Sequence, residues 1–147
     1  MIGIRTTLGL LLAALVAGAF AAAGSASPRS GDLHVTKECS QYFGHAGEHC
    51  TITWSSLNAI ASGMRVVYAS AAGADGLDSD LVLDGPGNND AFGHVTLDFH
   101  TLSGEVTFSG GTGRFSAFHA RVDVTHVVGT LWRWDGTYSF TPPGHDR

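Results

Sequence analysis

Residues 108–124 read FSGGTGRFSAFHARVDV, and the reading of this stretch decides the fold. Its first half packs Gly110, Gly111, Thr112 and Gly113 into consecutive positions. Its second half alternates: Phe118, Ala120, Val122 and Val124 are apolar, while His119, Arg121, Asp123 and Thr125 are polar. Side chains of a β-strand point to opposite faces in turn, so this pattern predicts a long strand with one face in a core and one in water. The glycine-rich half precedes it, where the chain must reverse and bulge, and glycine supplies the backbone freedom for that. A phosphate cradle is the competing reading of such a glycine cluster. It requires a helix to receive the anion and a recognisable spacing, and neither follows here.

The same period of two extends outward in both directions. In 93–100, Val95, Leu97 and Phe99 oppose His94, Thr96, Asp98 and His100; in 130–140, Trp132, Trp134, Tyr138 and Phe140 oppose Arg133, Asp135, Thr137 and Ser139. Strands are expected at 33–36, 50–54, 64–69, 80–83, 93–100, 104–109, 114–127 and 130–140, joined by turn-forming runs such as DGPGNND and SGGTG. The segment SSLNAIAS at 55–62 fits one helical turn capped by Ser55 or Ser56. Eight strands with one apolar face each must bury those faces together, as a closed antiparallel β-barrel or, alternatively, a β-sandwich. Closure has the further merit of leaving no unpaired edge.

The N-terminal segment has a different character. Arg5 precedes the apolar run LGLLLAALVAGAFAAA, which ends in the small residues Gly24, Ser25 and Ala26, so residues 1–26 read as a secretory signal peptide. A membrane anchor is the weaker reading, because no basic stop signal follows the run. Cleavage there leaves 27–147 as a single domain, expected outside the cell and free of the membrane. In that compartment Cys39 and Cys50, the two cysteines, are expected to form a disulfide; a redox pair more often shows CxxC spacing. The net charge of −5, with no cluster of basic residues, argues against nucleic acid as a partner.

The run FSGGTGRFSAFHARV, together with GLDSDLVLDGPGN, GHVTLDF and WDGTYSF, resembles the allene oxide cyclase barrel-like and dirigent-like proteins, in particular their small secreted bacterial members. The resemblance covers roughly residues 50–140. It implies an eight-stranded antiparallel barrel with an apolar cavity, often trimeric among plant members, and hence an isomerase or cyclase activity or the binding of a small hydrophobic molecule. No carboxylate or cysteine of this chain aligns with the polar cavity residues of the plant enzymes, so the resemblance assigns no catalytic residue.

Tyr68, Trp132, Trp134 and Tyr138 are the candidates for lining a ligand cavity, since small-molecule sites combine apolar walls with a few polar tips. The same residues would equally serve to fill a solid barrel, which would make the protein a structural or interaction module. No cofactor signature is present. His94, Asp98, His100 and His119 lie on polar faces, but neighbours on one face of a strand stand about 7 Å apart, too far for one ion without a cross-strand partner. The acidic stretch from Asp75 to Asp90 lacks the spacing of an EF-hand, and no GxSxG elbow marks a serine hydrolase. No metal site is therefore expected.

Overall fold

A computed structural model describes residues 29–141. The signal peptide expected at 1–26 lies outside the described residues. Eight strands follow in chain order: β1 (Ser30–Glu38), β2 (His49–Ser55), β3 (Arg65–Tyr68), β4 (Gly76–Asp84), β5 (Asp90–Asp98), β6 (Ser103–Gly111), β7 (Phe118–Val128) and β8 (Leu131–Phe140). Each pairs antiparallel with the next, and β1 closes onto β8 from Ser30↔Ser139 to Glu38↔Leu131. The molecule is thus a closed, eight-stranded, up-and-down barrel, and the sandwich alternative is set aside.

Alternation explains the core. Phe118, Ala120, Val122 and Val124 of β7, Trp134 and Tyr138 of β8, and Leu33 and Val35 of β1 all turn inward and are buried. Their neighbours in sequence form a charged outer wall with cross-strand pairs such as Arg121 to Glu105 and Arg65 to Asp84.

The GGTG corner both turns and docks. Gly110 and Gly113 have positive φ, at 95° and 55°, and the β5–β6 register slips between Ala91 and Gly93, which is the expected bulge. Thr112 N–H donates to the Asp90 carbonyl at 2.8 Å, the Thr112 hydroxyl accepts from Asp90 N–H at 3.1 Å, and Asn89 Oδ1 accepts from Arg114 N–H at 3.0 Å. A side chain at Gly111 would meet the Asp90 backbone, so the residue is small because the neighbouring hairpin is already there.

Of two local expectations, the first differs from the structure and the second is met. The strand expected from Arg114 begins only at Phe118, because Gly113–Phe115 forms a 3-10 turn that folds Phe115, fully buried, across the end of the barrel. Residues 55–62 make a single hydrogen-bonded turn, Ile60 N–H to the Leu57 carbonyl, with the Ser55 hydroxyl accepting from Leu57 N–H. Burial of Leu57 and Ile60 in the core is satisfied by that one turn.

Candidate functional site

The end of the barrel opposite Phe115 is built differently. Alternation along β1 continues past Leu33 and Val35 to place Lys37 and then Cys39 inward. Lys37 is the single lysine of the chain; every other basic side chain among the eight Lys and Arg residues is arginine. It is 4% exposed, and its Nζ donates to the Tyr68 hydroxyl at 2.6 Å. Nζ also stands 5.3 Å from the Tyr68 ring centroid and 5.1 Å from that of Trp134, within reach of cation–π attraction.

No carboxylate among the described residues lies within ion-pair distance of Lys37. The ammonium form therefore loses its hydration without gaining a counter-charge, and burial pulls the pKa of Lys37 down to about 7. Near neutral pH a large share of this side chain is a free amine. Burial raises the pKa of the Tyr68 phenol, followed by the influence of Tyr42, so Tyr68 stays protonated and its O–H is directed to Cys50 Sγ at 3.5 Å.

Cys39 and Cys50 form the expected disulfide, with Cα atoms 4.3 Å apart, and it joins the end of β1 to the start of β2 beside Lys37. Between the two cysteines runs a loop whose Tyr42 packs its ring on Tyr68 at 4.9 Å. On its other side Tyr42 borders an open groove with Phe43, His45, Ala72 and Phe99. One side chain thus touches both the outside groove and the tyrosine that holds Lys37. The Tyr42 hydroxyl and the Trp134 indole N–H are both shielded from solvent and have no hydrogen-bond partner among the described residues. With the spare N–H groups of Lys37, this end of the barrel carries buried donors left without acceptors among the described residues.

Of the four aromatic candidates, the structure gathers Tyr68 and Trp134 around Lys37 and separates the other two. Trp132 sits directly across the β1–β8 ladder from Lys37 but is half-buried, its ring edge on His126 at 5.0 Å. Tyr138 is buried toward the other end, beside Phe140 at 5.9 Å. Trp134 divides the interior, touching Lys37 on one side and Phe108 on the other at 5.7 Å. Sequence reasoning missed Lys37. The signal was there: in LHVTKEC, Leu33, Val35, Lys37 and Cys39 share one face, so the period that assigns the core also assigns a lysine to it.

Two histidines of the outer wall find carboxylate partners. His94 is clamped between Asp80 at 2.8 Å and Asp78 at 2.6 Å, the Asp80 bond first raising its pKa, and His100 meets Asp75 at 2.9 Å. Among the described residues no group of three or more His, Cys, Asp or Glu side chains is arranged to hold a metal ion.

Comparison with known proteins finds no matching family model, no matching curated protein and no matching solved structure.

Proposed function

We propose that the protein binds a small, largely apolar molecule in the Lys37 end of its barrel, with a hydrogen-bond acceptor of that molecule directed at the lysine. The observation that carries this reading is the surplus of buried donors: Lys37 Nζ, the unpartnered Trp134 indole N–H and the unpartnered Tyr42 hydroxyl. Isolated buried donors are costly, on the order of 1–3 kcal/mol each, and an acceptor on a ligand would recover that cost. The aromatic walls supply the apolar contact, and displacement of Tyr42 supplies the entry. The resemblance to the allene oxide cyclase barrel-like proteins agrees with a ligand-holding barrel, and the disulfide suits export from the cell.

A second reading, an isomerase or cyclase, is favoured by the Lys37–Tyr68 hydrogen bond, which sets a base beside a protonated phenol as acid–base catalysis requires. Binding is the more economical reading, since it needs only the donors already present.

Native mass spectrometry of the protein purified from its culture medium, before and after mild denaturation, tests the proposal. A small molecule released in stoichiometric amount is expected, with less of it on Trp134→Ala. A chain that is bare in repeated preparations, and that fails to enhance the fluorescence of N-phenyl-1-naphthylamine, would overturn it in favour of a filled, structural barrel. The same spectrum reports whether the barrel is a monomer or the trimer that the family resemblance implies.

A further inference from the structure

From the placement of the chain's single lysine, we infer that Lys37 is a nucleophilic amine that holds an aldehyde or ketone as a Schiff base inside the barrel. This rests on the binding reading above and specifies the chemistry of the acceptor as a carbonyl oxygen. Four features of the site support it.

The first is the choice of residue. Arginine serves at every exposed basic position described, in pairs such as Arg65–Asp84, Arg121–Glu105 and Arg133–Asp135. Arginine remains charged and is a poor nucleophile, whereas lysine loses its proton readily on burial. The one interior basic position is the one that carries an amine. A merely structural cation there would be better served by a carboxylate partner, and none of the ion pairs described includes Lys37.

The second is desolvation among aromatic rings, a known route to an activated lysine. Lys37 lies against Tyr68 and Trp134, and its lowered pKa supports the same conclusion.

The third is the neighbouring acid. Nζ attacks the carbonyl carbon, the C=O π pair moves to oxygen, and one amine proton transfers to give a carbinolamine. The carbinolamine hydroxyl then leaves as water as the second amine proton is lost, so amine plus carbonyl become imine plus one water. The Tyr68 hydroxyl lies 2.6 Å from Nζ, and by turning its O–H away from Cys50 Sγ it can donate to the departing hydroxyl and regain its proton from nitrogen. No oxidant or reductant enters.

The fourth is water exclusion. Condensation releases water, and an interior lined by Tyr68, Trp134 and a disulfide disfavours its return.

The test is direct because Lys37 and the N-terminal α-amine are the only primary amines of the chain. The folded protein is incubated with benzaldehyde and sodium cyanoborohydride at pH 7.5, and adducts are located by intact mass and peptide mapping, with N-phenyl-1-naphthylamine fluorescence read in parallel. Near-stoichiometric benzylation of Lys37 is expected in protein that takes up the naphthylamine, and it should be lost completely in Lys37→Met and Lys37→Arg. If the naphthylamine binds but benzaldehyde is trapped only at the N-terminus, the Schiff base is wrong and the binding site stands. If neither probe binds and Lys37 reacts only after denaturation, both readings fall together.

Discussion

The two ends of this barrel solve the same packing problem in opposite ways. At one end, Phe115 folds across the opening and meets Phe118 edge-on at 5.3 Å, with Phe118 in turn against Phe108 at 5.5 Å and Phe140 at 5.2 Å. Those rings demand no partner beyond each other. At the other end the plug is Tyr42, and beneath it sit an amine, a phenol and a disulfide. The first end looks selected for stability. The second leaves buried hydrogen-bonding groups without partners among the described residues, at a cost in stability.

Removing one ring should expose this asymmetry most sharply. Phe115→Ala deletes a fully buried side chain from a rigid cluster and should cost about 3–5 kcal/mol in urea or guanidinium unfolding. A loss below about 1 kcal/mol would mean that the plugged end is loose, and the contrast would fail.

Lys37→Met should have the opposite sign. The folded pKa of Lys37 is lowered from 10.5 to about 7, so between those values the unfolded chain binds a proton that the folded chain does not, and wild-type stability must rise with pH across that window. Below about pH 7 the full penalty of a buried ammonium applies. Methionine removes the penalty but strands the Tyr68 hydroxyl, leaving a net gain of about 3 kcal/mol at pH 6 that shrinks toward zero by pH 10. Melts at pH 6 and pH 9 check this, and a variant destabilised at both would show that Lys37 is a structural cation.

How much of this contrast is legible in the sequence follows from what alternation encodes. A strand's period reports which face is buried whatever residue occupies it, so the sequence places Trp134, Tyr138, Val122 and Tyr68 inward, and their number calls for a barrel or a sandwich; the pairing of β1 with β8 decides between the two. Lys37 fell just beyond the expected end of β1 because a lysine reads as a strand terminus, although the pairing continues through Glu38↔Leu131. Phe115 was missed for the converse reason. It lies in a turn, where no period applies, and only the closed barrel shows that an opening is there to be filled. Which aromatic residues meet across the interior depends on stagger between strands, and this is why Trp132 and Tyr138 part from Trp134.

Opening the disulfide comes next in size. The cross-link spans a sequence separation of 11, and removing it as Cys39→Ser with Cys50→Ser should cost about 2–3 kcal/mol, chiefly by freeing the unfolded chain. The effect should also be local. Because the bond frames the loop that carries Tyr42, hydrogen exchange should accelerate in 40–48 well before it does around Phe115; uniform acceleration would deny that the two ends are distinct units.

The smallest effect concerns the latch on that loop. The Glu48 carboxylate accepts from the backbone N–H of His45 at 3.0 Å and of Phe43 at 2.6 Å, and meets the His45 ring at 2.8 Å. These bonds, the His45 backbone first, hold its pKa down to about 2 from an ordinary 4.5. A lowered folded pKa means that the latch contributes fully above pH 4.5 and is lost as pH falls toward 2. Glu48→Gln keeps the side-chain shape but removes the charge, so at pH 7 it should lower global stability by less than any change above while raising amide exchange at Phe43 and His45 several-fold. If Tyr42 is the door to Lys37, acylation of the lysine by a small reagent should quicken in the same variant, and the barrel's two ends would then differ in access as well as in chemistry. Faster loop exchange with unchanged acylation would move the entry elsewhere, since a loosened plug that admits nothing is not the way in.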